Sequence, residues 1–452
     1  MKVSQYNSIY DFPSNPSQKL MFNAKSLALA LVDCSKVEQY ENYCQTHEEI
    51  PDEAFLNDLK TGGFLIDDSI DEKAILKYEQ LCSRYSRSHL SLVIAATSNC
   101  NFRCVYCYER SVLRASTMSE ATQEAIVKFV ESEAPHLESF TVTWYGGEPL
   151  LALDIIESLS LKFIDICKKN DIAYGATIVT NGYLLNCAVV EKLNTLYVNQ
   201  YQVTLDGRKE IHDCSRPLAN GGGTYDVITQ NLIDVKDVIP SVSLRINTGR
   251  HNVDQVHEIF EWVKDNGLSE KVFPYLGKIT STGKEDPTTS MCLNTDEFVE
   301  ARIKMINGET ANLQRNNFYP TPVRCYCGAD SNNVFVIDSD GSLYKCWDDI
   351  GHIERAVGNI NTNIEYNSTL FSYIQYSAVD DPDCSDCAVL PICMGGCPHR
   401  RVQSLPDRCS EFKDHLEEFL LITADNVIKA RSKETKCSSS VKSIFVRIVT
   451  FL

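Results

Sequence analysis

The 452-residue chain has no run of about 18 apolar residues, the length that a membrane-spanning helix needs. Its first residues, MKVSQ, do not lead into an apolar segment with a small-residue cleavage site, so no signal peptide is predicted. Positive charge is also scarce, since 43 Lys and Arg residues stand against 61 Asp and Glu residues, a net charge of −18. This balance argues against binding to a nucleic-acid backbone. We therefore predict a cytoplasmic protein with no membrane and no nucleic-acid partner.

Cysteine, by contrast, is abundant, with 19 residues. A cytoplasmic protein cannot keep a disulfide framework because the cellular thiol pool reduces it, so the count indicates ligation of metal ions or clusters. The clustered cysteines form two groups. The first group is Cys100, Cys104 and Cys107, and the second is Cys325, Cys327, Cys346, Cys384, Cys387, Cys393, Cys397 and Cys409. The remaining cysteines are scattered singly and are predicted to be plain buried thiols.

Between the two groups, strand patterns alternate with helix patterns. Strands are predicted at residues 90–96, 140–145, 175–180, 200–205, 241–248 and 271–276, and helices at residues 119–131, 151–168, 188–193, 224–235 and 253–265. Repeated units of this kind specify a parallel sheet covered by helices, either open or closed into a full or partial barrel. Ligands bind such sheets at the carboxyl ends of the strands. The first cysteine group directly follows the first strand and so falls at that edge.

The first cysteine group lies in one loop, TSNCNFRCVYCYE at residues 97–109, with the spacing C-x3-C-x2-C. A [4Fe–4S] cluster held by three cysteines keeps one iron open for a ligand other than protein. A structural zinc site needs a fourth cysteine or histidine, which the loop does not offer. The spacing, after the first strand of a βα series, resembles the radical S-adenosylmethionine (SAM) superfamily. The resemblance implies an α/β fold with a partial (β/α)6 barrel of the TIM type.

In that superfamily the open iron binds SAM, and one electron from the cluster cleaves SAM to a 5′-deoxyadenosyl radical. By resemblance, Tyr106 faces the adenine, and the WYGGEPLL segment at residues 144–151 receives the SAM amino group. Glycines there let the backbone come close to a ligand. The candidate SAM-binding residues are Tyr106, Gly146, Gly147, Glu148, Pro149, Asn181, Asp206, Arg216 and Arg245. As alternatives, the Asx-Gly pairs at 181–182 and 206–207 are ordinary turns, and the two arginines are structural or surface residues.

The second cysteine group resembles the SPASM extension of radical SAM enzymes. By resemblance, auxiliary cluster I is bound by Cys327, Cys346 and Cys397, and auxiliary cluster II by Cys384, Cys387, Cys393 and Cys409. Relatives often have another cysteine about six residues before the first of these, whereas Cys325 is two residues away, so auxiliary cluster I has either four protein ligands or an open iron. Residues 334–346 are predicted to form a hairpin that brings Cys327 and Cys346 together. With the first group, the resemblance implies three [4Fe–4S] clusters; two zinc sites are the alternative for the second group.

The resemblance covers about residues 85–412 and divides the chain into four parts. Residues 1–85 are predicted to form a small α/β module, which in such enzymes commonly recognises the leader of a ribosomally made precursor peptide by strand addition. Residues 86–310 are the predicted radical SAM core and residues 311–412 the SPASM domain. Residues 413–452 are a predicted helix and tail, which ends in IFVRIVTFL, too short a run to span a bilayer.

The resemblance further implies an oxidoreductase that removes a hydrogen atom from a ribosomally synthesised precursor peptide and installs a cross-link. A thioether is favoured over a carbon–carbon bond by the YKCW segment at residues 344–347, and flavodoxin or ferredoxin would supply the electron. An anaerobic sulfatase-maturating enzyme, which makes formylglycine, is the alternative, with Asp348 as its base unless Asp348 is a surface residue. From another functional class, a non-catalytic iron–sulfur electron carrier or redox sensor is the competing hypothesis.

Overall fold

The computed structural model describes residues 1–111, 115–281, 286–307, 318–434 and 445–446. The predicted domain boundary at residue 310 lies outside the described residues, as does most of the predicted tail. In the described part of the chain, no helix is both long and apolar enough to cross a membrane.

The N-terminal part combines short antiparallel strands with three helices. Its elements are β1 (Lys2–Val3), β2 (Asn7–Asp11), β3 (Gln18–Asn23), β4 (Ala28–Asp33), α1 (Cys34–Thr46), α2 (Glu53–Thr61), β5 (Leu65–Ile66) and α3 (Glu72–Arg84). Strands β2, β3 and β4 form an antiparallel meander, and β1 pairs with β5. Helices α2 and α3 begin where an aspartate side chain accepts a backbone N–H from the first turn, Asp52 from Phe55 and Asp71 from Ala74.

The central part contains the six predicted strands in parallel. Its elements are β6 (His89–Thr97), α4 (Glu120–Glu133), β7 (Ser139–Gly146), α5 (Leu153–Asn170), β8 (Ala173–Thr180), α6 (Cys187–Thr195), β9 (Val198–Thr204), α7 (Lys209–Ser215), α8 (Tyr225–Asp234), β10 (Val242–Thr248), α9 (His257–Asp265), β11 (Val272–Lys278) and α10 (Thr295–Asn307). Strands β6 to β11 pair in chain order, as repeated βα units require. The predicted α/β fold of the radical SAM type is confirmed, and the carboxyl ends of six strands meet at one edge.

The cysteine-rich part is built from short elements. They are β12 (Val334–Ile337), β13 (Leu343–Tyr344), β14 (Gly358–Asn359), β15 (Asn363–Ile364), α11 (Ser368–Ile374), α12 (Leu390–Cys393), α13 (Pro398–Val402), α14 (Phe412–Glu434) and β16 (Phe445–Val446). Strands β12 and β13 form the predicted hairpin, and Gly341 has a φ of +89° in its turn. The sequence did not indicate that β12 also pairs in parallel with β6, which extends the main sheet to eight strands.

The N-terminal part shares a hydrophobic core with the C-terminal helix. Leu20 and Phe22 of β3 pack in one cluster with Leu416 and Leu420 of α14. At the end of α3, the Tyr85 hydroxyl donates to the carbonyl oxygen of Ile374 at 2.7 Å. Residues 1–85 were predicted as a module separate from the sheet domain; the structure joins them to the C-terminal half of the chain through these contacts.

Candidate active site

One cavity of about 290 Å³ lies between the carboxyl ends of the central strands and the cysteine-rich part. The sequence-predicted residues that line it are Cys100, Cys104, Cys107, Tyr106, Gly146, Gly147, Asn181, Arg216, Arg245 and Asp348. Three other predicted SAM-binding residues, Glu148, Pro149 and Asp206, are buried behind its wall. The cavity therefore gathers residues from the strand ends of the core and from the segment after β13.

The loop that carries the first three cysteines is fixed to the segment after α7. The backbone N–H of Arg103 donates to Pro217 at 2.8 Å, and that of Val105 donates to Ser215 at 3.0 Å. The pKa of Cys100 is raised to about 11 and that of Cys107 to about 12, mainly by burial, and the charge of Cys104 contributes to both rises. Three closely placed sulfur ligands that cost free energy to ionise without a cation fit an iron–sulfur cluster held by three cysteines.

The Gly-Gly pair after β7 allows the strand end to contact this loop. The N–H of Gly147 donates to the carbonyl oxygen of Thr97 at 3.0 Å, and that of Glu148 donates to Asn99 at 2.8 Å. A Cβ atom on Gly147 would lie 2.3 Å from the Asn99 oxygen, and Gly146 has a φ of +120°. Because both positions require glycine, the motif holds the backbone beside Cys100 as well as lining the cavity.

The Glu148 carboxylate connects two strand ends from inside the protein. It is fully buried and accepts hydrogen bonds from the Leu150 N–H at 3.1 Å, the Thr180 hydroxyl at 2.6 Å and the Asn181 N–H at 2.8 Å. Burial raises its pKa, while these hydrogen bonds oppose the shift. Glu148 therefore fixes the end of β7 to the end of β8, which positions Asn181 at the cavity.

Tyr106 is held by a buried polar network. Its hydroxyl donates to the Asp206 carboxylate and accepts from Arg216 at 2.8 Å and from the Asn247 amide at 3.0 Å. Asp206 also accepts the backbone N–H of Asn247 at 2.9 Å. Burial raises the pKa of both Tyr106 and Asp206, and the charge of Arg216 opposes both shifts. In this arrangement Arg216 and Asp206 position Tyr106.

Asn181 and Arg245 present polar groups to the cavity. The Asn181 amide donates to the Asn101 side chain at 2.8 Å, which links the end of β8 to the cysteine loop. The Nε atom of Arg245 donates to Asn247 at 2.7 Å, and its guanidinium lies 5.9 Å from the centre of the Tyr275 ring. These contacts fix the orientation of both side chains.

In the second group, Cys327 is within electrostatic range of both Cys397 and Cys346, whereas Cys325 makes hydrogen bonds with two serines. Burial raises the pKa of Cys327 to about 12, and the charge of Cys397 contributes to the rise. The charge of Cys327 in turn raises the pKa of Cys346, on which burial is the largest influence. Burial also raises the pKa of Cys325, and hydrogen bonds of its thiol with Ser83 and Ser331 oppose the rise. The structure therefore brings three of the four thiols together.

The remaining cysteines of the second group form another cluster. Burial raises the pKa of Cys393, and the charges of Cys409 and Cys384 raise it further. The N–H of Cys387 donates to the carbonyl oxygen of Cys384 at 3.0 Å, so the two share one turn. No disulfide joins any of the described cysteines.

The segment after Cys346 places polar and aromatic groups together that sequence analysis did not connect. Ligand atoms of Cys346, Asp348 and His399 all lie within 4.8 Å of one another. The ring of Trp347 stacks on that of Tyr145, with centroids 5.7 Å apart and an angle of 12°. Asp348, assigned from sequence either to catalysis or to the surface, is half-buried in the cavity wall.

Several cavity residues were not predicted from sequence. They are Tyr108, Tyr145, Lys278, Trp347, His399 and Arg400. Three of the six adjoin a predicted ligand or the glycine motif: Tyr108 follows Cys107, Trp347 follows Cys346, and Tyr145 precedes Gly146. Their position next to a predicted ligand or motif is the sequence signal that could have identified these three residues.

The part of the chain that carries this cavity is similar to known proteins. Residues 94–277 match the model of the Radical SAM superfamily. They form a radical SAM domain. The chain is also 29% identical over 373 residues to the cysteine-type anaerobic sulfatase-maturating enzyme of Clostridium novyi, an alignment that covers 72% of this chain and 94% of that enzyme. The serine-type enzyme of Klebsiella pneumoniae is 22% identical, over 66% of this chain and 79% of its own.

Solved structures show the same fold. The structure of native anSMEcpe with bound AdoMet has a TM-score of 0.59 and 20% identity, and the match covers 76% of this chain and all of that one. The structure of the same enzyme with AdoMet and the Cp18Cys peptide also has a TM-score of 0.59, at 19% identity and 77% coverage of this chain. SAM and a [4Fe–4S] cluster are the cofactors that the radical SAM family implies, and the three cysteines at the cavity fit that cluster.

Proposed function

We propose that this protein is a radical SAM maturase that removes a hydrogen atom from a ribosomally synthesised precursor peptide and installs a cross-link, most simply a thioether. The observation that carries the proposal is one cavity with three thiols in its wall and, next to Asp348, a second set of three thiols. The three thiols in the cavity wall suit radical generation. The second set, next to Asp348, suits the formation of the cross-link that follows.

When bound at Cys100, Cys104 and Cys107, the cluster and SAM would supply the 5′-deoxyadenosyl radical that removes the hydrogen atom. The protein's own contribution is to orient the reactants and exclude water. Gly146 and Gly147 admit the ligand close to the backbone. The stacked rings of Tyr145 and Trp347 line the same cavity.

A peptide substrate is supported by the curated relatives, which are named as sulfatase-maturating enzymes. The alignment with the Clostridium novyi enzyme leaves 28% of this chain without a counterpart. Residues 1–85 and the C-terminal tail together have about that length. We infer that the N-terminal module is an addition to the shared enzyme and that it recognises the precursor's leader.

The thioether is favoured by the hydrogen bonds that the Cys325 thiol makes with Ser83 and Ser331, which engage it away from a role as a fourth ligand. Cys327, Cys346 and Cys397 would hold a [4Fe–4S] cluster with three thiolates, which leaves one coordination position for a thiolate of the substrate. Such a cluster would also supply an electron acceptor. The cysteine held there would be close to the substrate radical, a proximity effect worth several kcal/mol. In this proposal Asp348, which lines the cavity and lies within 4.8 Å of a Cys346 ligand atom, accepts the proton of that cysteine.

Formylglycine formation is the second candidate, favoured by the similarity to sulfatase-maturating enzymes. In this version the substrate cysteine loses a hydrogen atom and then a proton to Asp348, and an auxiliary cluster would accept the second electron. Water then replaces the sulfur, which leaves as hydrosulfide, to give the aldehyde. Both reactions begin with the same hydrogen abstraction. They differ in what becomes of the substrate's cysteine.

The test is anaerobic reconstitution of the full chain with iron, sulfide, SAM and dithionite, together with the small peptide encoded beside its gene. Release of 5′-deoxyadenosine is expected; its absence would favour a non-catalytic iron–sulfur protein. Mass spectrometry should show a loss of two hydrogens per cross-link, with the peptide's cysteine no longer alkylated by iodoacetamide. A two-hydrogen loss with that cysteine still alkylated would indicate a carbon–carbon bond, and an aldehyde trapped by a hydrazine would indicate formylglycine.

A further inference from the structure

The N-terminal sheet can receive a peptide only at an edge, because both of its faces are covered. One face packs against α1 and α2, and its buried residues are Met21, Ala30, Val32, Val37, Tyr40, Phe55 and Leu59. The other face packs against α14, and its buried residues are Leu20, Phe22, Leu29, Leu416, Leu420 and Ala424. A partner that adds to this sheet must therefore use the backbone groups of an outer strand.

The outer edge of β4 is already paired with a segment of the chain itself. Strand β16 runs antiparallel to β4, with Phe445 opposite Ala30 and Val446 opposite Leu29. The resulting sheet has the order β16-β4-β3-β2. The apolar C-terminal run of residues 444–452, which sequence analysis left without a role, thus includes a strand of the N-terminal module.

The helix before this strand brings it within reach of the sheet. Leu416 and Leu420 of α14 belong to the same core cluster as Leu29 of β4. Farther along α14, Asp425 accepts a hydrogen bond from the Ser14 hydroxyl at 2.8 Å. The residues between the end of α14 and Phe445 can span at most about 35 Å. This helix therefore keeps the C-terminal segment beside the N-terminal sheet.

We propose that β16 is an internal competitor of the precursor leader for the edge of β4. The proposal rests on leader recognition by the N-terminal module, as set out under the proposed function. Strand addition uses the N–H and C=O groups of one edge, and each group can pair with one strand at a time. A leader that pairs with β4 must displace β16. The segment IFVRIVTFL has the β-branched and aromatic composition that favours strand pairing.

Hydrogen exchange tests the pairing without any precursor. The variants are a chain that ends at Lys436, the substitution Val446→Pro, which removes an N–H from the strand, and Ser439→Pro as a matched control. In the first two, exchange should accelerate at least tenfold at the backbone N–H groups of Leu29 and Ala30 that face β16, whereas N–H groups of β4 that face β3 should keep their rates. Residues 18–23 lie in the internal strand β3 and should be unchanged, and Ser439→Pro should match the native chain. Unchanged exchange at the β4 N–H groups that face β16 in both test variants would overturn the proposal.

Leader binding tests the competition. The probe is the fluorescently labelled leader of the peptide encoded beside the gene, measured by anisotropy against the full chain and the chain that ends at Lys436. If β16 occupies the edge in nine of ten molecules, removing it tightens the apparent Kd about tenfold. A synthetic peptide of residues 437–452 added to the shortened chain should weaken leader binding again.

The outcomes separate this proposal from the proposed function. Faster exchange at the β4 N–H groups that face β16 together with an unchanged or weaker leader affinity would show that β16 is a structural strand and would overturn the competition. A leader that binds neither chain would instead refute leader recognition itself, and with it the competition. Tighter binding by the shortened chain, reversed by the added peptide, would support both.

Discussion

Replacing Gly147 by alanine should displace the backbone beside Cys100 and weaken the first cluster site, while the overall fold is kept. The added Cβ would lie 2.3 Å from the carbonyl oxygen of Asn99, 2.6 Å from its carbonyl carbon and 2.7 Å from the carbonyl oxygen of Ser98. All three are backbone atoms, so no side-chain rotation relieves the clash. Restoring an ordinary contact requires a displacement of about 1 Å, and overpacking of this kind typically costs about 1–3 kcal/mol.

That displacement acts directly on a cluster ligand, because Cys100 follows Asn99 in the chain. Ligands must be held within roughly 0.5 Å of their productive positions, so a shift of twice that size should lower occupancy of the site. We expect Gly147→Ala to lose most of the iron of the first cluster and to release less than a tenth of the native 5′-deoxyadenosine.

Gly175→Ala is the matched control. It makes the same chemical change in β8, where the nearest atom to the added Cβ is the Asn199 amide nitrogen at 3.9 Å. The assay compares iron content, 5′-deoxyadenosine release and urea unfolding for the two variants and the native chain. If Gly147→Ala loads iron and cleaves SAM as well as Gly175→Ala does, the Gly-Gly contact does not position the cysteine loop and the argument is wrong.

Four further substitutions test the two cysteine groups and Asp348. Cys104→Ala should abolish 5′-deoxyadenosine release and leave the auxiliary clusters' absorbance largely unchanged; full activity would remove the radical SAM mechanism. Cys327→Ala should lose about four of roughly twelve irons while Cys325→Ala loses none, and equal losses would show that Cys325 is a ligand after all. Asp348→Asn should slow peptide modification at least a hundredfold but keep uncoupled SAM cleavage, since a positioned base contributes about 10²–10⁴ in rate. Equal loss of peptide modification and of uncoupled SAM cleavage would indicate that Asp348 has a structural role.

The N-terminal module calls for point variants because of how it is packed. Deleting residues 1–80 is the direct test that the sequence suggests, with precursor binding expected to suffer more than uncoupled SAM cleavage. The structure shows that this deletion would also remove Leu20 and Phe22 from a core shared with α14. A loss of both functions in the deletion would therefore not separate leader recognition from stability, whereas substitutions at the edge strand β16 can.

The parts of this protein that sequence alone predicts are those encoded by short spacings. The C-x3-C-x2-C loop and the Gly-Gly-Glu motif each lie within a dozen residues, and the alternation of strands and helices is a local periodicity. The parallel order of β6 to β11 follows from that alternation, because each crossover returns to the neighbouring strand. The α/β fold, the position of the first cysteine group and part of the cavity wall are therefore predictable from local patterns.

The tertiary structure decided what depends on residues distant in sequence. Tyr145 and Trp347 are 202 residues apart in the chain and stack, because the hairpin of β12 and β13 joins the edge of the main sheet. Cys325 and Cys327 are almost adjacent, yet the former contacts Ser83 and the latter lies near Cys397. The pairing of β16 with β4 joins opposite ends of the chain. No local pattern contains these contacts, since each arises from how separately formed elements pack together.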